Sequence, residues 1–355
     1  MKGTAGLTRQ QRRSKSKLAT ATRKKKKTEE LPSVRKRDSG TAKETRGGGA
    51  SPYHDRMPVE QDEDDGRDTF HQWYMQTWGN LIAAIPSMRL TDCPVAPRGP
   101  VHTSETLQVF TVRISPGDAS GLSWPLHVYG VIAARDLVDY KRNIIFERGR
   151  DDCHTITEQA PYLELTGPTR AVVLLDPVHF EVDLKVKGTR QSDEDQDLIF
   201  LSTSFRNPPR LLEVSYTGKN CTLEWTMGHI SSSIEATISM KVIHGSWPDG
   251  FRGFFAAKTA SIDGMEFALL LTGDDKLPVA EDGMIRLQRQ VVCAEIDKEE
   301  EHLEVCVEAN NGVAGGRYDD ALLFTPQRYG RLSGDLSVAS CEIEVTVAWS
   351  LVECY

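Results

Sequence analysis

Polar and apolar residues alternate with a period of two over most of the chain after residue 105. Phe110, Val112 and Ile114 alternate with Val109, Thr111 and Arg113. In HFEVDLKVKG, Phe180, Val182, Leu184 and Val186 oppose His179, Glu181, Asp183, Lys185 and Lys187. Leu303, Val305 and Val307 oppose Glu304, Cys306 and Glu308, and Ile343, Val345, Val347, Trp349 and Leu351 oppose Glu342, Glu344, Thr346, Ala348 and Ser350. Successive side chains of a strand point to opposite faces, so each segment reads as a strand with one buried and one wet face. That is the signature of antiparallel sheets, since buried parallel strands read as unbroken apolar runs.

Further strands are expected at Leu126–Ala133, Arg170–Leu175, Leu198–Ser204, Leu211–Tyr216, Thr222–Met227, Ser233–His244, Phe251–Ala257, Glu266–Leu271, Ile285–Ile296 and Ala321–Phe324. Turn-forming stretches such as Thr217-Gly218-Lys219-Asn220 and Asn310-Asn311-Gly312 separate them. Many short strands with regular turns predict an all-β fold, an antiparallel β-sandwich or partly closed barrel. Before it, Phe70, Trp73, Trp78, Ile82 and Ile85 recur every three to five residues, which predicts an amphipathic helix ending before Pro86 or an irregular arm. The expected organisation is a tail over 1–67, an entry arm over 68–104 and a sandwich domain over 105–355.

Charge changes the picture at the N-terminus. The first fifty residues hold sixteen Lys or Arg against four acids, a net +12 in a chain of net −8, so the remainder carries −20. With no aromatic and few large aliphatics, such a segment cannot offset its ordering entropy and is expected to be disordered. Its tract Arg12, Arg13, Arg23, Lys24, Lys25, Lys26 and Lys27 has the pattern of a nuclear-import signal, which suits the acidic groove of an import receptor. Non-specific, salt-dependent nucleic-acid binding is the other expected use of the tail. A nuclear location is therefore expected first, cytoplasm second, and plastid or mitochondrion third. Residues 60–68 form a short acidic block. The seven cysteines are scattered and never spaced C-x-x-C, so reduced thiols are expected. No apolar run reaches the roughly 20 residues that span a bilayer, so no membrane partner is expected.

Opposite charges crowd between residues 135 and 152. Arg135, Asp136, Asp139, Arg142, Arg148, Arg150, Asp151 and Asp152 lie there, and Arg170 follows a Thr-Gly-Pro turn. One reading is a polar pocket: the four acids suit a hard cation such as Ca²⁺, and the arginines suit a phosphate or carboxylate. The other is an ion-pair web bracing a loop of about ten residues between two strands. A calcium loop is acid-dominated, whereas both signs are interleaved here, which favours the web. No catalytic residue, metal ligand or cofactor is identified, because G-x-S-x-G, G-x-G-x-x-G, a phosphate loop and metal-spaced histidines are all absent. Gly167 is expected to supply a permissive backbone angle. His179 and His302 are placed on wet faces, and the DEDQD stretch (193–197) and Arg317–Asp320 read as solvated loops. A binding or scaffold module with a protein partner is expected over an enzyme or a Ca²⁺-dependent binder built on residues 135–152.

Several phrases together resemble one family: LQVFTVRI (107–114), LSWPLHVYGVIAARD (122–136), RNIIFERGRDDCHTIT (142–157), YLELTGPTRAVVLLDPVHFEVDLKVKG (162–188), IEATISMKV (234–242) and VTVAWSLV (345–352). From about Met88 to the C-terminus the chain is similar to the grass-enriched plant family called domain of unknown function 6598. The resemblance implies a plant protein with one β-rich domain and supplies no activity, catalytic residue or cofactor. Some related plant chains are grouped loosely with ribosome-inactivating rRNA glycosidases, whose helix carries Glu-Ala-x-Arg. Here Glu235-Ala236-Thr237-Ile238 lacks the arginine and lies in a strand pattern, so that activity is rejected.

Overall fold

The computed structural model describes residues 72, 75–83, 85–92, 102–188, 194–273, 276–296, 301–312 and 316–352. The expected tail, with its import-like tract, lies outside them. All the described residues belong to one unit, Arg56–Tyr355. As the alternation predicts, they form antiparallel sheets. Sixteen strands follow in order: β1 Ser104–Pro116, β2 Leu126–Arg135, β3 Asn143–Arg148, β4 His154–Ile156, β5 Val172–Val173, β6 Val178–Val186, β7 Gln196–Phe205, β8 Leu211–Thr217, β9 Cys221–His244, β10 Arg252–Thr259, β11 Phe267–Leu271, β12 Val291–Glu295, β13 Leu303–Asn310, β14 Arg317–Phe324, β15 Tyr329–Val338 and β16 Cys341–Ser350.

The strands form three sheets, none of them a closed barrel. One runs β3-β2-β6-β7 with β4 on β2, one runs β11-β10-β13-β14, and a long one runs β15-β16-β9-β1-β5 with β8 and β12 also on β9. The sandwich is double, because buried side chains fall into two clusters. Leu107, Val112, Phe146, Phe180, Leu184 and Trp225 belong to the first; Ile238, Met240, Phe255, Val305, Val345 and Trp349 belong to the second. Strand β9 serves both. Leu223, Trp225 and Met227 enter the first core, while Ile234, Ala236, Ile238 and Met240 enter the second. Ile230 already enters the second core, and just beyond it the pairing is irregular: Thr106 pairs with Ile230 but Ser104 with Ser233, leaving an extra residue beside Ser232 (φ 46°). An extra residue in one strand of a pair is a bulge, and bulges re-aim the side chains that follow. The separate strands expected at Thr222–Met227 and Ser233–His244 are therefore one strand of 24 residues.

Several expectations are corrected. β3 and β15 were not foreseen, and Arg317–Asp320 are residues of β14, not a loop. Ile285–Ile296 yields only the five-residue β12. The entry arm is helical at Met75–Thr77, turns at Trp78–Asn80 and is irregular beyond, with Ile82 bridged to Arg142. His179 and Glu181 sit on the face of β6 read as wet, yet both are buried, because the arm and the β2–β3 turn close over that end of the sheet. Gly167 has no positive φ; a Cβ there would stand 1.9 Å from the Ile144 carbonyl oxygen, so close approach to β3 excludes a side chain. Cys221 is buried in the first core and Cys293 and Cys341 in the second, all as free thiols. Burial pushes Cys221 and Cys293 up to about 12.

Candidate functional site

The small side chains of Ala133 and Ala134 let β2 run fully buried into Arg135, after which the chain turns sharply. Two aspartates shape the turn: Asp136 accepts from the amide of Val138 (3.1 Å) and Asp139 from that of Lys141 (3.1 Å). Side-chain carboxylates that bond the backbone two residues on are standard turn formers. Tyr140 takes a left-handed φ of 56°, and its ring stacks on Trp78 of the arm at 5.6 Å.

Around this turn three arginines and three acids pair inside the protein. Arg135 donates to Glu181 on β6 (2.6 Å) and to the carbonyls of Tyr140 and Gly79, both at 2.8 Å. Arg142 donates to the other oxygen of Glu181 at 2.7 Å. Arg170 grips Asp136 with two nitrogens, at 2.7 and 2.8 Å, and reaches Asp139 at 3.2 Å. The loop carrying Arg170 is fixed by Asn143, which accepts from the Thr169 amide and donates to the Arg170 carbonyl, both at 3.0 Å. Burial alone lowers the affinity of the Arg170 guanidinium for its proton, but Asp136 and Asp139 outweigh it and the pKa rises.

Next to this knot lies Glu235 on β9. Its two carboxylate oxygens accept from the amides of Met88 and Ala171, each at 2.8 Å. Burial pushes its pKa up, against the opposing pull of those amides and of Arg170. A further buried cation, Arg289, spans the two halves. It donates to the carbonyls of Gly167 (2.7 Å) and Val109 (2.6 Å) and lies 3.5 Å over the Phe267 ring. Burial pushes its pKa well down. Such a guanidinium is held by carbonyl dipoles and by the ring's negative face.

The residues singled out from sequence thus separate. Arg135, Asp136, Asp139, Arg142 and Arg170 meet in the buried knot. Arg148, Arg150, Asp151 and Asp152 do not, because β3 carries the chain about 20 Å onward at its rise per residue. The single loop expected over 135–152 is two turns with a strand between them. At the outer turn Arg148 faces Asp152 (3.5 Å) and Glu164 (3.8 Å), while Arg150 bonds Asp195 at 2.6 Å. Asp195 also takes the Tyr129 hydroxyl (2.7 Å) and the Gly188 amide (3.1 Å), and these donors, Arg150 first, hold its carboxyl well below the usual range. Asp195 in the DEDQD stretch is therefore an anchor rather than a solvated loop residue.

Sequence reasoning missed Glu181, Glu235 and Arg289. Glu181 hides on the polar side of an alternating strand and carries no local signal. Glu235 does carry one: it is the single acid in the run Ile234–Met240. Chemically, Asp136 and Glu181 commit both carboxylate oxygens to guanidinium and amide donors, whereas Asp139 uses one oxygen and holds the other buried without a hydrogen-bond partner. Among the described residues no three His, Cys, Asp or Glu gather to hold a metal ion. Nor is any described helix long and apolar enough to cross a membrane.

Comparison with known proteins adds a family. The model of the family described as Domain of unknown function (DUF6598) matches residues 106–347. No curated protein matches the chain. Among solved structures, the paired C2 domains of Extended-Synaptotagmin 2 are 10% identical, covering 77% of this chain and 98% of that one at a TM-score of 0.25. "Human GIVD cytosolic phospholipase A2" is 10% identical, covering 72% and 31% at a TM-score of 0.23. Likeness at this level transfers nothing to the present chain.

Proposed function

Because the chain belongs to the family Domain of unknown function (DUF6598), whose description states no activity, we propose a function from its own residues: a non-catalytic binding or scaffold module. One observation carries this reading. The charged residues of the inner turn, one possible reading of which was a polar pocket, neutralise one another inside the protein, Arg170 on Asp136 and both Arg135 and Arg142 on Glu181. A catalytic acid, base or nucleophile needs a free lone pair or proton within reach of substrate; Asp136 and Glu181 are buried and paired at both oxygens, and the one unpartnered oxygen of Asp139 is buried away from any substrate. Buried pairs of this kind set specific geometry, and breaking one strands the other charge.

The partner side of the proposal rests on the basic tract. Arg12, Arg13, Arg23 and Lys24 to Lys27 serve as a nuclear-import signal read by the acidic groove of an import receptor, with weak contact to nucleic-acid phosphates as their second use.

Binding, localisation, melting and turnover, all measured on the full chain, test this. Purified import receptor binds the wild-type chain and loses it when Lys24, Lys25, Lys26 and Lys27 all become alanine, and a fluorescently tagged chain leaves the nucleus with the same substitutions. A tagged chain found in the cytoplasm, plastid or mitochondrion from the start defeats the nuclear assignment. Asp136→Asn lowers the melting temperature without changing receptor binding. A turnover activity removed by Asp136→Asn at unchanged stability defeats the non-catalytic reading.

A further inference from the structure

The outer face of the first sandwich carries a groove that the proposed function leaves unused. Strand register lays its side chains out in rows. Tyr162 pairs with Arg113, Arg113 with Glu224 and Glu224 with Ser215, so these four stand in line across four neighbouring segments. In the next row Thr111 pairs with Thr226, and Thr226 with Glu213. Together they line a groove of about 420 Å³, within the size range of small-ligand sites.

The lining selects the chemistry of an occupant by elimination. Its two apolar residues, Val214 and Trp225, turn their side chains toward the first core, so an apolar ligand meets no apolar wall. Arg113 is already paired with Glu224, and Glu213 adds a further negative charge, so phosphates, sulfates and nucleic acid are repelled. A divalent cation has to displace Arg113 from Glu224, and no third His, Cys, Asp or Glu stands close among the described residues.

A neutral ligand rich in hydroxyls fits what remains. A paired guanidinium and carboxylate present donors and acceptors side by side, as vicinal hydroxyls require. Three hydroxyl side chains add adaptable partners. Tyr162, 51% exposed, offers an open ring face for the C–H side of a sugar ring. The row from Tyr162 to Ser215 spans three inter-strand spacings, about 14 Å, which is the reach of a short oligosaccharide.

We propose that this groove binds a neutral oligosaccharide, with Arg113, Glu224 and Glu213 as its hydrogen-bonding residues and Tyr162 as the stacking platform. Arg113 and Glu224 form an exposed ion pair, which contributes little to stability, and Tyr162 and Glu213 are exposed surface residues, so these positions can be changed without unfolding the protein. That separates binding from folding.

The test is saturation-transfer NMR on the full chain with maltohexaose, cellohexaose, xylohexaose and chitohexaose, and with inositol hexakisphosphate as an anionic control. The expected result is transfer to at least one neutral hexasaccharide. Its affinity falls about tenfold or more in Tyr162→Ala and in Glu213→Gln, with thermal melting unchanged in both. Absence of transfer to all four sugars overturns the proposal, as does transfer that both substitutions leave untouched. Tighter binding of inositol hexakisphosphate, lost in Arg113→Gln, overturns it by making the groove an anion site. No residue of the basic tract takes part, so the failure of this proposal and the failure of the import reading are separate results.

Discussion

Asp136 accepts four hydrogen bonds: two from Arg170 and one each from the amides of Val138 and Val173. Asp136→Asn keeps the shape but sets an amide group against those donors and leaves Arg170 with Asp139 as its one hydrogen-bonded carboxylate, beside the Ala171 carbonyl. Breaking a buried pair from one side costs about 3–5 kcal/mol, so urea unfolding should show a loss of that order; a loss below about 1 kcal/mol, typical of exposed pairs, would remove the buried brace. His179 gives a pH dependence of defined sign. Burial, aided by Arg206, pushes its imidazole down to about 3, whereas the unfolded chain titrates near 6.5. The unfolded state therefore binds the extra proton between those values, and stability is full above about pH 6.5 and declines as pH falls toward 3, by up to about 1.4 kcal/mol per unit. His179→Gln should flatten that part of the stability profile; an unchanged slope assigns it to other groups. Gly167→Ala forces a methyl group onto the Ile144 carbonyl and displaces the Gly167 carbonyl from Arg289; overpacking of this kind costs about 1–3 kcal/mol or more. The cluster itself was legible, because charges of both signs rarely crowd so closely. Its partners were not. Glu181 occupies the polar phase of a regular alternation, and only tertiary closure by the arm turns that phase inward.

The arm from Trp78 to Asp92 lies N-terminal to the stretch matched by the family model, yet the fold depends on it. Leu81 and Ala83 exchange backbone hydrogen bonds with Arg142, the Gly79 carbonyl takes Arg135, the Met88 amide meets Glu235, and the Leu90 amide meets Ser350 while its side chain enters the second core. Gly330 donates to the Thr91 carbonyl and Arg331 pairs with Asp92. Removing the arm strips partners from one buried arginine and one buried glutamate together. A chain beginning at residue 102 should accordingly be insoluble or melt far below one beginning at residue 72, as read by circular dichroism; equal melting temperatures make the arm dispensable. At this scale the sequence was most informative where alternation was regular: β6, β13 and β16 fall where the pattern puts them. It failed at β3, whose Asn-Ile-Ile-Phe start is buried throughout and does not alternate, and at β15, whose Gly-Arg-Leu-Ser-Gly-Asp interior carries too few apolar residues to register. The arm's aromatics suggested a longer helix, but Gly79 and Asn80 end it in a turn that leaves the Gly79 carbonyl free for Arg135.

Two cores on one continuous strand predict coupled unfolding of the whole molecule. Trp225 belongs to the first core and Trp349 to the second, so chains in which one of them is the sole tryptophan left of the six report the halves separately. Their denaturation curves should coincide, the usual sign of a two-state transition. Arg289→Met removes the cation that ties Val109 and Gly167 to the second half, and the two curves should then separate; curves already apart in the unsubstituted chain would mean that β9 does not transmit cooperativity. The buried thiols carry this further. Cys221 sits in one core and Cys293 and Cys341 in the other, and only the thiolate reacts with alkylating agents. In the closed protein burial suppresses that form, so modification has to wait for an opening event. Each sulfur is thus a stopwatch built into its own half, and the lag before Cys221 is tagged, set against that for Cys341, reports which side of the molecule breathes first.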